Sequence, residues 1–200
     1  SLGDAWATQE SGVQEDLRAV NGVPGGTLIA VGDLGNATRW NGLTWEKMET
    51  PVTGDLRAVW MLSETEGWAV GAYATMQLRN GVWTEVMGNA YRNLYGVYGF
   101  AANDVWAVGA SGTVLRYDGI TWGVVPSNTS IGLRAVWGAS DDDVWMVGEG
   151  GLVLHWDGSE LTKVTVDTTQ TLTAVWGRSS DDVTIVGSRG LKIYERSRLF

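Results

Sequence analysis

One position recurs five times along the chain, and its side chains are suited to gripping an anion. Arg18, Arg57, Tyr95, Arg134 and Thr173 each follow a leucine. Three guanidinium groups brought toward one axis would form a clamp for a carboxylate or another anionic group. Alternatively, each arginine pairs with a neighbouring carboxylate such as Asp16 or Asp55 and holds the structure in register. The series contains no carboxylate, so it lacks the acid and base of glycoside hydrolysis. His155 is the single histidine. One imidazole offers neither a base-nucleophile pair nor a metal ligand set, and it reads as a residue of a surface strand. Asp141, Asp142 and Asp143, with Asp181, Asp182, Asn103 and Asp104, carry oxygens that suit calcium. They recur in a turn, however, where Asp bonds neighbouring backbone amides, so no metal is expected. Gly148-Glu149-Gly150-Gly151 lacks the lysine and helix of a phosphate loop. Asn36-Ala37-Thr38 and Asn128-Thr129-Ser130 match glycosylation acceptors. With no cysteine in the chain there is no disulfide, thiolate metal site or cysteine nucleophile, and no cofactor is expected.

The elements that must position these residues follow from an internal repeat. Leu17, Leu56, Leu94, Leu133 and Leu172 are spaced 39, 38, 39 and 39 residues apart, most of them opening a segment of the type L-x-A-V-W. Val-Gly pairs at 31/32, 70/71, 108/109, 147/148 and 186/187 keep the same spacing. Over the 25 residues from Leu133 and from Leu172, 13 are identical without a gap. Each repeat reads as four short strands, A to D, separated by turn signals, with no sustained helical period and hence no helix. Asn41-Gly42, Asn80-Gly81, Asp118-Gly119 and Asp157-Gly158 lie between strands C and D and predict type I′ turns.

Four antiparallel strands in about 39 residues, repeated, describe propeller blades. Trp6 stands 39 residues before Trp45, in a series continued by Trp83 and Trp122. Residues 1–10 are therefore expected to supply strand D of the last blade, completing the A, B and C strands that start at Leu172. The expectation is one domain over residues 1–200: an all-β, five-bladed β-propeller closed by its N-terminal strand. Tryptophans recurring once per repeat are expected to pack between blades.

Composition narrows the function. The chain has 200 residues and is 44% hydrophobic and 18% charged, as in an ordinary globular protein; its 28 glycines and 12 tryptophans suit turns and sheets. Fourteen basic against 23 acidic residues give a net charge of -9 without a basic run, which excludes nucleic acid as a partner. No apolar run is long enough for a membrane span.

The segments L-R-A-V-W-G, D-V-W-x-V-G and Asp118-Gly119-Ile120-Thr121-Trp122 resemble the short-bladed propeller repeats of the Asp-box or BNR-like type. These include repeats of the photosystem II assembly factor type and of bacterial surface proteins. The resemblance implies a non-enzymatic, monomeric recognition or scaffold module at the bacterial cell surface or outside the cell. It would bind a glycan or a protein, in a lectin-like manner for a glycan. The expected site lies on the face where the A strands begin, at Arg18, Arg57, Tyr95 and Arg134; Tyr95 in the arginine position, with Tyr73, Tyr91, Arg92, Asp33, Glu149 and Arg189 in the adjoining loops, departs from the repeat. The three arginines and a tyrosine also resemble the clamp and nucleophile of sialidases, so the alternative is a sialidase-like glycoside hydrolase.

Overall fold

A computed structural model describes residues 7–86, 92–188 and, for the backbone alone, 193–196. Within them the repeat becomes five antiparallel sheets. Sheet 1 comprises β1 (Leu17–Gly22), β2 (Leu28–Gly32), β3 (Ala37–Trp40) and β4 (Trp45–Met48). Sheet 2 comprises β5 (Leu56–Met61), β6 (Gly67–Gly71), β7 (Thr75–Arg79) and β8 (Val82–Glu85). Sheet 3 comprises β9 (Leu94–Ala101), β10 (Asp104–Gly109), β11 (Val114–Tyr117) and β12 (Trp122–Val124). Sheet 4 comprises β13 (Leu133–Ser140), β14 (Asp143–Gly148), β15 (Val153–Trp156) and β16 (Leu161–Val164). Sheet 5 comprises β17 (Leu172–Ser179), β18 (Asp182–Gly187) and β19 (Ile193–Arg196). Strands follow chain order in every sheet. The first strands of consecutive sheets pack side by side. No helix among the described residues is long and apolar enough to cross a membrane.

Alternation along each strand divides its side chains between two neighbours. On the front face, toward the preceding sheet, lie the leucine and, beyond a bulge, the valine of the first strand. On the back face lie its alanine and aromatic residue. Leu56, Val59 and Met61 of sheet 2 thus pack on Ile29, Val31 and Ala37 of sheet 1. Leu94, Val97 and Trp122 of sheet 3 pack on Trp68, Val70 and Trp60 of sheet 2. Leu172, Val175 and Ile185 of sheet 5 pack on Trp137, Trp145 and Val147 of sheet 4. Trp60, Trp68, Trp83, Trp106, Trp122, Trp137 and Trp145 therefore lie between sheets, whereas Trp176 is 60% exposed and Trp45 sits on the front of sheet 1. Trp106 and Trp122 are fully buried, and Trp68 meets the Trp122 ring edge-on at 5.0 Å.

Among the described residues the two ends of the array differ from its interior. Sheets 1 and 5 do not pack on each other as the consecutive sheets do. Leu17 is 38% and Val20 62% exposed, whereas the matching Leu56, Leu94, Leu133 and Leu172 are at 0%. Trp6 and the rest of residues 1–6, on which closure would depend, lie outside the described residues. Residues 7–10 are described and are not in a strand. Gln9 instead accepts a hydrogen bond from Trp45 Nε1 at 3.1 Å, and the Ser11 carbonyl accepts one from Thr38 Oγ1 at 2.8 Å, so this segment crosses the front of sheet 1.

Three local details also depart from the sequence reading. Only Asn80 and Gly81 both have positive φ (50° and 79°) as the two-residue loop of a type I′ hairpin. The other three C to D turns span four residues, and there the Asn or Asp side chain accepts amide hydrogens from the backbone two and three residues on, as Asn41 does from Leu43 and Thr44. Single 3-10 turns, Asp33–Gly35, Ala110–Gly112 and Glu149–Gly151, occupy the B to C loops around a left-handed residue: Leu34, Ser111 or Gly150. In sheet 2 this loop is one residue shorter, and in sheet 5 one longer. Gln77 of β7 and Glu195 of β19 therefore take the place that His155 has in β15, although counting along the repeat would put Leu78 and Tyr194 there.

Candidate functional site

The start of every first strand is fixed to the B to C loop of its own sheet by one backbone contact. The amide of the residue after each Val-Gly pair donates to the carbonyl of the residue just before the leucine. Asp33 donates to Asp16 at 2.9 Å, Ala72 to Asp55 at 2.7 Å, and Ala110 to Asn93, Glu149 to Gly132 and Ser188 to Thr171 at 2.9 Å each. Glycine is needed before that residue because the chains approach closely. A Cβ on Gly32, Gly71, Gly109 or Gly148 would run into the same carbonyl oxygen. The side chain fifteen residues after each arginine is thereby delivered to it.

This register decides which arginines are neutralised. Arg18 forms a two-pronged ion pair with Asp33, its Nη2 at 2.7 Å from Oδ2. The pairing raises the Arg18 pKa and holds the Asp33 carboxyl below its usual range. Arg134 Nη2 meets Glu149 Oε1 at 2.5 Å. The acids are thus the loop residues of the same sheet, rather than Asp16 or Asp55. In sheet 2 the fifteenth residue is Ala72, so Arg57 receives no carboxylate from its loop. Its Nη1 reaches Asn93 Oδ1 at 3.5 Å.

Tyr95 stands between the two. The Arg57 guanidinium carbon lies 5.1 Å from the Tyr95 ring centroid and that of Arg134 lies 4.6 Å from it. Both are within cation-π range. All three side chains are half-buried. The exposed Tyr73 adjoins them through its amide, which donates to the Arg92 carbonyl at 2.9 Å, and Ala72 bridges Asn93. The structure therefore brings together Arg57, Tyr95, Arg134 and, at the edge, Tyr73, while Arg18 is engaged on sheet 1. Tyr91 and Arg189 lie outside the described residues. Asn93 escaped the sequence reading, although its place beside the arginine series was a usable signal.

The opposite rim carries a second repeated arrangement, in which a side chain of the third strand meets an acid at the start of the second. Arg116 meets Asp104 with both prongs, at 2.7 and 3.0 Å, and lies 5.0 Å from the Trp106 ring centroid. One repeat later His155 Nε2 is 2.6 Å from Asp143 Oδ1, which also accepts Trp145 Nε1 at 2.9 Å. The imidazole stacks on the Trp145 indole at 4.1 Å. His155 is thus one member of an inter-strand set rather than a plain surface residue. Among the described residues no group of three metal-ligating side chains converges.

No family model matches the chain, and neither does any curated protein. Its fold is shared with solved structures. YCF48 bound to D1 peptide superposes with a TM-score of 0.75 at 17% identity, over 98% of this chain and 68% of that one. YCF48 from Cyanidioschyzon merolae gives 0.66 at 15% identity, over 86% and 63%. The extracellular domain of a hybrid two-component system, BT3049, from B. thetaiotaomicron gives 0.72 at 11% identity, over 91% and 29%. The likeness shows a propeller-type fold. The chain spans about two thirds or less of the length of these proteins.

Proposed function

We propose that this chain is a non-enzymatic protein-recognition module that holds an acidic side chain or terminal carboxylate of a partner polypeptide on the rim where the first strands begin. Arg57 is the anchor, Tyr95 the platform, and Arg134 and Tyr73 flank them. The observation that carries this reading is the contrast within the arginine series. Arg18 and Arg134 meet carboxylates fifteen residues on, whereas Arg57 finds Ala72 there, and Asp33, which feels its charge, is engaged by Arg18. The half-buried setting beside an aromatic ring strengthens a charge-assisted hydrogen bond to an incoming carboxylate. Of the acids on this rim, Asp33 and Glu149 are held in ion pairs and Asp55 accepts the Leu34 amide at 3.2 Å, which favours binding over acid-base chemistry. A protein of the same fold, YCF48, has been solved with a peptide bound, which supports a polypeptide as the class of ligand.

The test is fluorescence titration with a labelled glutamate-rich peptide and with its glutamine counterpart. The glutamate peptide should bind, and Arg57→Ala should weaken it about tenfold or more, equivalent to about 1.4 kcal/mol. Arg18→Ala should leave the affinity unchanged. Equal binding by wild type and Arg57→Ala would reject the assignment.

A further inference from the structure

The B to C loops of sheets 1 to 4 each turn on a residue in the left-handed region, where a Cβ is unfavourable and glycine is the relaxed choice. Sheet 4 has that choice in Gly150 (φ 62°), and sheet 3 has the small Ser111 (φ 54°). Sheets 1 and 2 instead place Leu34 (φ 55°) and Tyr73 (φ 54°) there. Neither side chain is taken into the interior: Leu34 is 63% and Tyr73 51% exposed. The exposure belongs to the position, since Ser111 and Gly150 are exposed in the internal sheets as well. Two bulky residues therefore hold a strained backbone while standing in solvent, a combination that clusters at ligand-binding sites.

Both residues are fixed beside Arg57. The loop of sheet 1 is tied to the start of sheet 2: Leu34 donates its amide to Asp55 Oδ1 at 3.2 Å, and the Gly35 carbonyl accepts Thr50 Oγ1 at 2.7 Å. The Asp33 carboxyl, next to Leu34, feels the Arg57 charge. Tyr73 follows Ala72, whose amide is bonded to the Asp55 carbonyl two residues before Arg57. Leu34 thus stands on the sheet 1 side of Arg57, and Tyr73 on the sheet 3 side, where its amide meets the Arg92 carbonyl. We propose that Leu34 and Tyr73 are the specificity-determining residues of this rim, and that the partner segment carries apolar side chains on both sides of its acidic residue. The proposal rests on the carboxylate reading of Arg57. A guanidinium satisfies a carboxylate by itself, and an exposed leucine adds nothing to its hold on charge. What leucine and tyrosine add is apolar area at the edge of an ionic contact, which an apolar neighbour of the acid can cover.

The experiment compares three labelled peptides of equal length: one glutamate between leucines, one glutamate between serines, and one glutamine between leucines. Wild type should bind the first at least about fivefold more tightly than either of the others. The double variant Leu34→Gly, Tyr73→Gly should bind the two glutamate peptides equally. Its melting temperature should stay within about 2 °C of wild type or rise above it, because glycine relieves the positive φ at both loop tips. A merely structural pair of side chains would give the reverse, a larger fall in melting temperature with the preference for leucine intact, and that result would overturn the proposal. Equal affinity of wild type for the two glutamate peptides, with the glutamine peptide still rejected, would overturn it too and leave the carboxylate reading standing. A glutamine peptide bound as tightly as its glutamate counterpart would overturn both.

Discussion

The two rims of the sheet array use the same residue types to opposite effect. On the rim of the A to B turns, Arg116 is saturated by both oxygens of Asp104 and by the Trp106 face, and Asp118 and Asp157 are each bound by two backbone amides. On the rim of the first strands, Arg57 stacks on Tyr95 but has no acid from its loop. In a repeat protein a charged side chain therefore says little by itself. Its meaning lies in whether the partner position has been kept.

The largest effect expected from this contrast is on the saturated rim. Trp106→Ala should cost about 3–5 kcal/mol in chemical denaturation, since the indole is fully buried between sheets 3 and 4. Arg116→Ala, which strands the half-buried Asp104, should cost about 1.5–3 kcal/mol. Arg57→Ala should change stability by no more than about 0.5 kcal/mol. A loss for Arg57→Ala as large as that for Arg116→Ala would erase the distinction between the rims.

Ala72→Asp sharpens the same comparison on the binding side. It restores a carboxylate to the position that neutralises Arg18 and Arg134, without touching Arg57. Acidic-peptide affinity should fall about tenfold, close to the loss for Arg57→Ala. An unchanged affinity would show that Arg57 is not the anchor.

The smallest effect concerns acid stability. The amides of Glu160 and Ser159, with the Ser159 hydroxyl, hold the exposed Asp157 carboxyl at about 2. The unfolded chain binds that proton near pH 4. The folded-state pKa is lowered, so its stabilisation is complete above about pH 4 and is lost as pH falls from there through about 2. Asp157→Asn keeps the acceptor, as Asn41 does in sheet 1, and removes the titration. Its denaturation midpoint should fall less steeply than that of wild type between pH 4 and 2. Identical acid limbs would place the sensitivity elsewhere.

The sheets were legible in the sequence because the period of apolar residues and the Val-Gly pairs determine both strand order and facing. Arg57, Tyr95 and Arg134 were legible as a group because they share one repeat position. Their unequal neutralisation was harder to see. It depends on a backbone contact that carries the fifteenth residue back to the arginine, and Ala72 has no charge to draw attention. The shift of register in β7 and β19 was hidden because one residue more or less in a loop turns every later side chain of that strand to the other face. Closure was inferred from the count of strands, and Trp6 with the rest of residues 1–6, on which it depends, lies outside the described residues.

The paired backbone contact at each first strand has a practical meaning. It holds the positions 18 and 33, 57 and 72, 95 and 110, 134 and 149, and 173 and 188 at a common spacing whatever side chains they carry, because only main-chain atoms and a glycine are involved. The rim is in this sense a pegboard with five paired holes. Swapping a cation, an acid or an aromatic ring between holes would change the chemistry that the rim presents while leaving the board itself unchanged.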